Sequence, residues 1–493
     1  MEGKGPRFAA PFFIGRRKLS VEEFPEVKLA VFWFRRDLRL TDNTALTACA
    51  AAAERVVPVY VLSRWRAPHA WTGPHRQAFL CGSLEALRRN LEAGGGRLIF
   101  RQGNAVEELV RLVKETGAEA VFFNRDPDPF GRSVEARLAR EGEREGFAVR
   151  GFKDVVVHEG DEIRTAAGGP FRVFTAYARA WERLPKPQPA GRLRRLEVPE
   201  GICSLDHPTP SLWGLEAGGT EIEPGERAAR RRLSAFLAGG ISEYARERDS
   251  LSARATSRIS QDLRFGLLSI REVVARCRNR AAELPAGLRA SAVKFLSELI
   301  WREFFFQILW HFPEVLDREF QAPFRGLRWP GTEADFARWA AGETGFPIVD
   351  AAMRQLDATG CLPNRARMIA AMFLTKDLLV DWRRGERYFL QQLTDGEVAS
   401  NNGGWQWCAG TGADAAPYFR IQNPWTQARR HDPRGIYIKH WVPELRDVPP
   451  ERFFAPPPGG RLTPRYPPPM VDHAAARRRA LEWFAQRKKG GAP

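Results

Sequence analysis

KLAVFWFRRDLRLTDN, residues 28–43, carries the decision about the fold. Its first seven residues form a short, β-rich apolar run, which reads as a strand. A dinucleotide fold would continue with a G-x-G-x-x-G turn, but this chain continues with the charged loop FRRDLRLTDN. Working outward, RVVPVYVL (55–62), RLIF (97–100) and AEAVFFN (118–124) are further runs of the same kind. Helical patterns separate them at about 75–93, 104–116 and 131–145. Such alternation predicts an α/β doubly wound parallel sheet with helices on both faces, lacking the dinucleotide fingerprint.

Residues 156–225 contain LPKPQPA and PTPSLWG, where proline and glycine recur too often for regular elements. They read as a long linker. From about 226 to 485 the periodicity is helical, so an all-helical C-terminal domain is expected. SAVKFLSELIWREFFFQILWHFPEVL has an apolar stripe too broad for a surface helix and reads as its central one. A proline-rich stretch (449–469) precedes one last amphipathic segment and a short basic tail, 486–493. Residues 1–27 are basic and lack an apolar segment with a cleavage site, so they read as an extension and not a secretory signal. The expected units are therefore 1–27, 28–155, 156–225, 226–485 and 486–493.

Composition narrows the function. The 493 residues are 44% hydrophobic and 27% charged, as in a soluble globular protein, and no apolar run reaches membrane-span length. Six scattered cysteines without a Cys-x-x-Cys pair argue against a disulfide framework and fit a reducing cytoplasm. The eight histidines show no ligand spacing, so no metal is expected. A net charge of +17 points to a polyanion, nucleic acid first, against the plain alternative of solvated arginine faces. Fifteen tryptophans, mostly after residue 300, invite a stacking or electronic role beside core packing.

Four stretches carry candidate chemistry. Thr256, Ser257, Arg258, Ile259 and Ser260 place three hydroxyls and a guanidinium at a loop-to-helix entry, a phosphate cradle or a simple N-cap. Arg246, Arg248 and Arg254 around them favour an anionic partner. Glu298 and Trp301 are three apart on one helix face. That carboxylate needs a partner, either a structural arginine or a planar ligand on which Trp301 stacks. Asn364 and Met368 lie one turn apart with Arg365 and Arg367 between them, and Asp395 is a plausible partner for Arg367. Finally, DGEVASNNGGWQW (395–407) combines close-approach glycines with two tryptophans, Trp405 and Trp407.

Read in order, WFRRDLRLTDN, TSRIS, SELIWREF, GFPIVDAAMRQL, NRARM, DGEVASNNGGWQW and DAAPYFRIQNP resemble the DNA photolyase/cryptochrome family, from about residue 28 to 485. The resemblance is closest to class I cyclobutane pyrimidine dimer photolyases. It implies an α/β domain linked to a helical domain that holds FAD. Tyr244 and Thr256 to Ser260 would surround the FAD phosphates. Glu298, Arg367, Asp395, Gly396, Glu397 and Asn401 would line the flavin, with Arg367 and Asp395 paired and Asn401 facing N5. Trp405, Trp382 and Trp329 would form an electron relay. Trp301 and Trp407 would lie against a flipped-out pyrimidine dimer, with Glu298, Asn364 and Met368 in the same pocket. Arg248, Arg365, Arg420 and Gln427 would hold the DNA around it.

The resemblance thus implies light-driven repair of UV-damaged DNA, by a monomer. Asn364 and Met368 stand where the branch acting on pyrimidine–pyrimidone photoproducts has histidines. Both Trp301 and Trp407 are present, unlike in the single-strand-specialised branch. No long C-terminal extension of the signalling cryptochromes is visible. A light-sensing regulator without repair is the alternative. For a second, antenna chromophore, FNRDPDPFGRSVEA (122–136) departs at Asp128-Pro129-Phe130 from the folate-contacting pattern of some relatives. Folate, deazaflavin, another flavin or none remain open.

Overall fold

The computed structural model describes residues 26–216, 220–253 and 256–489. Most of the expected N-terminal extension, Arg254 and residues 490–493 lie outside the described residues.

Five parallel strands, β1 (Val27–Phe34), β2 (Ala53–Leu62), β3 (Ile99–Gln102), β4 (Ala120–Asn124) and β5 (Ala148–Phe152), form one sheet in the order β3-β2-β1-β4-β5. This is the doubly wound arrangement expected. In register, Val31 of β1 lies between Val57 and Val121. Why β1 shows no polar alternation is then clear. Ala30, Phe32 and Phe34 enter a core shared with the helical half of the chain, while Leu29, Val31 and Trp33 enter a second core under the other face. A strand covered on both sides has no position left for a polar residue.

Two elements escaped the sequence reading. Helix α1 (Thr44–Ala52) follows β1 directly and is capped by the Asn43 side chain, which accepts from the Leu46 N–H. Its sequence, TALTACAAA, has too weak a polar face to register as amphipathic. Strand β5, AVRGF, is half-exposed throughout and lies at the sheet edge. Strand β3 also begins two residues later than the run at 97–100 suggested.

The linker expectation needs one correction: residues Phe174–Arg183 form an α-helix. Tyr177 and Trp181 anchor it, both 1% exposed, and the Trp181 indole donates to Glu303 Oε2 at 2.7 Å. Two large aromatics on one face outweigh the proline-rich flanks.

The helical half is organised on Ala286–His311, a 26-residue helix that packs against Phe174–Arg183, Ile241–Glu247, Ile270–Glu283 and Val398–Ala409. The loop after β1 joins it to the sheet. Arg39 Nη2 and Arg271 Nη2 both donate to Asp154 Oδ1, at 2.6 and 2.7 Å, and Arg271 Nε lies 3.2 Å from Asp42 Oδ2. Arg39 Nη1 donates to the Gly266 carbonyl and the Leu38 N–H to the Phe265 carbonyl. Arg39, Asp42, Asp154 and Arg271 are all buried. The charged loop that replaces the phosphate-binding turn is therefore a clamp between the two halves.

Candidate active site

The helix Asn364–Met372 and the residues that follow Trp382–Gln392 meet at one ion pair. Arg367 Nη2 donates to both oxygens of Asp395, at 2.8 and 3.1 Å. Burial alone would raise the Asp395 carboxyl, but Arg367, the Ser260 hydroxyl and Arg76 outweigh it and hold it below its ordinary range. Ser260 ties the 256–260 loop to the pair. The short helix Ser260–Arg264 has Ile259 at its N-cap position with no side-chain cap bond, so the hydroxyls of Thr256 and Ser257 are not spent on capping. Arg258 pairs with Glu221 and carries a positive φ of 50°. Tyr244 is buried edge-on to Phe236 and Phe295, with Arg248 over its ring.

Helix Val398–Ala409 presents Asn401 and, one turn on, Gly404. Asn401 Nδ2 donates to the Glu386 carbonyl at 3.0 Å, which orients the amide and leaves its oxygen to the other side. A Cβ on Gly404 would meet nothing within 4 Å, whereas one on Gly403 would lie 2.1 Å from the Phe305 ring. One face of this helix is therefore pressed on the central helix, and the other fronts open space.

Gly396 and Glu397 point elsewhere. A Cβ on Gly396 would collide with Arg76 Nη2, at 1.7 Å, and Glu397 pairs with Arg36 and, at 3.8 Å, with Arg302. These groups belong to a buried junction between the two halves, together with Arg264 and Asp126. Positive charge is in excess there: burial and the neighbouring Arg264 push Arg76 down to about 9.

Glu298 and Trp301 share the central helix. Glu298 has its structural arginine: Arg248 Nη1 donates to Oε1, and Lys294 Nζ lies 3.2 Å from the same oxygen. Arg248 reaches Asp249 at 3.7 Å, and Arg365 pairs with Asp249 at 2.7 Å. Lys294, Glu298, Arg248, Asp249 and Arg365 thus form one chain of charges, which the sequence did not reveal because Asp249 has no motif around it. Trp301 is stacked on one face by Phe174, with centroids 3.8 Å apart and planes at 7°. Asn364 is exposed, its Nδ2 3.9 Å from Met368 Sδ. Trp407 and Gln427 are half-buried, and Arg420 is exposed beside Phe419.

The three expected relay tryptophans occupy connected packing. Trp405 lies over the helix of Trp382: a Cβ on Gly385, one turn from Trp382, would sit 2.1 Å from Trp405 Cη2. Trp382 is fully buried and its indole donates to Glu319 at 3.2 Å. The segment after Trp329 joins the residues before Trp382 through the Gly331 N–H and the Leu379 carbonyl. Among the described residues none of the three stacks on another; Trp405 packs on Phe389 and Trp339, and Trp329 on Trp483.

Comparison with known proteins assigns both halves of the chain to one family. Residues 295–486 match the FAD binding domain of DNA photolyase, and residues 30–193 match DNA photolyase. The deoxyribodipyrimidine photo-lyase of Synechococcus sp. is 37% identical over 461 residues, 90% of this chain and 93% of that protein. This chain belongs to the DNA photolyase family. Among solved photolyases, the bacterial class III enzyme from Agrobacterium tumefaciens superposes with a TM-score of 0.87 at 36% identity, over 96% of this chain and all of that one. The archaeal photolyase from Sulfolobus tokodaii, described with two FAD molecules, gives 0.81 at 30% identity, over 93% and 100%. The photolyase assignment is carried by these matches; the class I placement expected from the sequence is not, since the bacterial structure is class III.

Proposed function

We infer that this photolyase repairs UV-damaged DNA in the light, with FAD as its cofactor, as a deoxyribodipyrimidine photo-lyase. The observation that carries the reading is the Arg367–Asp395 pair tied to Ser260, on a helix that packs against the one carrying Asn401 and the open position at Gly404. A guanidinium–carboxylate pair, free hydroxyls on an uncapped loop and an oriented amide are the donor and acceptor set a flavin dinucleotide requires. When bound, reduced and photoexcited FAD supplies an electron to the cyclobutane dimer and takes it back after the ring splits.

The protein's residues position and stabilise. Thr256 and Ser257 hold phosphate oxygens with their hydroxyls and Ser260 with its backbone N–H, its hydroxyl being given to Asp395, with Tyr244 and the backbone of Arg258 and Ile259 behind them. Arg367 and Asp395 clamp the edge of the flat ring, and Asn401 offers its carbonyl oxygen to one ring nitrogen. Gly396 and Glu397 act from behind, by docking the 395–397 turn on Arg76 and Arg36.

On the DNA side, Trp301 has one face covered by Phe174, with Phe304 and Phe305 also against its ring, and the half-buried indole offers its remaining exposed surface to a base. With Trp407 it provides a sequence-tolerant stacking wall, each stacked base being typically worth about 1–3 kcal/mol. Glu298 is held by Arg248 and Lys294 at the rim, where it reaches a polar edge of the flipped base. Asn364 and Met368 line the same wall, while Arg248, Arg365, Arg420 and Gln427 contact the backbone around the lesion. Trp405, Trp382 and Trp329 would conduct an electron toward bound FAD.

The proposed division of labour assigns the antenna to residues 28–155, catalysis to 226–485 and their joining to 156–225. Asp128 caps the helix Pro129–Glu145 within the candidate antenna stretch. No helix of the described residues is long and apolar enough to cross a membrane, and we place the enzyme in the cytoplasm as a monomer. Illuminating the FAD-loaded protein with dimer-containing DNA tests the reading. Dimers should disappear under blue light and persist in the dark; dimers that persist in both would leave a light-responsive regulator instead.

A further inference from the structure

Trp301 belongs to the helical half, but the ring it leans on belongs to the connector between the halves. Segment 171–181 lies along the central helix Ala286–His311 through four contacts. The Phe171 N–H donates to Gln307 Oε1 at 3.1 Å, and Phe174 stacks on Trp301. Tyr177 meets Phe304 with centroids 5.5 Å apart, and the Trp181 indole donates to Glu303. Tyr177 and Trp181 are the buried anchors of this segment, whereas Phe174 is half-buried and Val173 beside it is 50% exposed. The stack therefore sits where the connector helix comes to the surface, on the central-helix ring read as meeting a base.

A second segment fixes Phe174 in turn. Helix Phe174–Arg183 begins at Val173 without a side-chain cap of its own. Asp414, on the loop that leads to Phe419 and Arg420, supplies the acceptor: its Oδ2 takes the Phe174 N–H at 3.2 Å. Asp414 holds a φ of 46°, uncommon for a residue other than glycine, and presents its carboxylate at the positive end of the helix. With centroids 3.8 Å apart and planes at 7°, the indole of Trp301 has no room to tilt toward Phe174. Phe304, edge-on at 86°, and Phe305, at 39°, confine it further. We propose that Phe174 is a positioning residue for dimer recognition, fixing the plane of Trp301 on which the base stacks, and that Asp414 fixes Phe174. The proposal rests on the reading of Trp301 as a base-stacking residue.

A ring held in one plane beforehand has less freedom to lose when a base arrives. Without Phe174 the indole can tilt into the vacated space, and part of that advantage is lost. The loss falls on the flipped base, because the phosphate contacts are made by other residues. Selectivity for dimer-containing over undamaged DNA is thus the quantity that Phe174 controls.

The test titrates the full-length FAD-loaded chain, in the dark, with dimer-containing and undamaged duplexes of one sequence. Phe174→Leu should weaken dimer binding about 3- to 10-fold, a fraction of the loss of a whole base stack, and leave undamaged DNA unchanged. Phe174→Tyr, which keeps a flat ring, should recover the parent's selectivity. Asp414→Ala should lower selectivity in the same direction, and Asp414→Asn, which keeps the acceptor, should not. Should Phe174→Leu misfold, Asp414→Ala carries the test, since it leaves every ring in place. In a Trp301→Ala background, neither Phe174→Leu nor Asp414→Ala should have any further effect. Equal losses on both duplexes, parent selectivity in Phe174→Leu or Asp414→Ala, or effects fully additive with Trp301→Ala would overturn the assignment. A Trp301→Ala protein that binds dimers as tightly as the parent would overturn the base-stacking reading and this proposal with it.

Discussion

Glu386 is a residue on which pH acts directly. It is buried, its Oε1 accepts from Asn402 Nδ2 at 3.0 Å, and its backbone carbonyl orients Asn401. Burial pushes its carboxyl up from 4.5 to about 8, against the opposing hydrogen bond from Asn402. Between those two values the folded state holds a proton that the unfolded chain has lost. Stability from this group is therefore complete below about 4.5 and is lost as the pH rises through about 8. Glu386→Gln keeps the acceptor for Asn402 and removes the titration. Its melting temperature should fall less than the parent's between these pH values; parallel curves for the two proteins would refute the account. A sequence window cannot show this, because the carboxylate, the two asparagines and the carbonyl come from two different helices.

At the scale of the element, glycines decide how close helices come. In Trp382–Gln392 the missing side chain of Gly385 makes room for the end of Trp405. Gly385→Ala should cost about 1–3 kcal/mol, as overpacking does, despite the better helix propensity of alanine. Gly404→Ala meets nothing in the folded chain and should be neutral or stabilising without FAD, by up to about 1 kcal/mol. Chemical denaturation of the two apo variants measures the contrast; equal effects would mean that Trp405 does not rest on Gly385. Elements were legible where an apolar run or stripe stood out between polar flanks. The long helix Ala286–His311 and the segments around it could be read, as could the strands of the sheet. Helix α1, mostly alanine with no charged residue, and the half-exposed edge strand β5 could not. The helix at Phe174–Arg183 was hidden by its proline-rich flanks, and with it the ring that stacks on Trp301.

Across the whole molecule, the clamp after β1 sets how the sheet sits on the helical half. Arg271→Leu would leave Asp42 and Asp154 short of a buried cation and should cost about 3–5 kcal/mol, read as a lower denaturation midpoint. A loss near that of an exposed pair would show that the clamp is wet. The excess of cations over the chain acts at longer range. Lesion-DNA binding should weaken linearly in log–log form as salt rises, and Arg420→Ala should reduce the slope by about 1 if Arg420 holds a phosphate. An unchanged slope would remove Arg420 from the interface.

The sequence by itself determined the layers and the chemistry of single motifs: a strand run followed by a charged loop, hydroxyls at 256–260, paired residue types at Arg367 and Asp395, and a tryptophan-rich second half. These are local, since periodicity and residue type are properties of neighbours in the chain. Only the tertiary structure decided which groups meet. Ser260 reaches Asp395, Arg36 takes Glu397 away from the open face, Phe174 takes one side of Trp301, and Trp483 covers Trp329. The partners in each pair lie far apart in the chain, and only the burial of two cores and their shared junction brings them together.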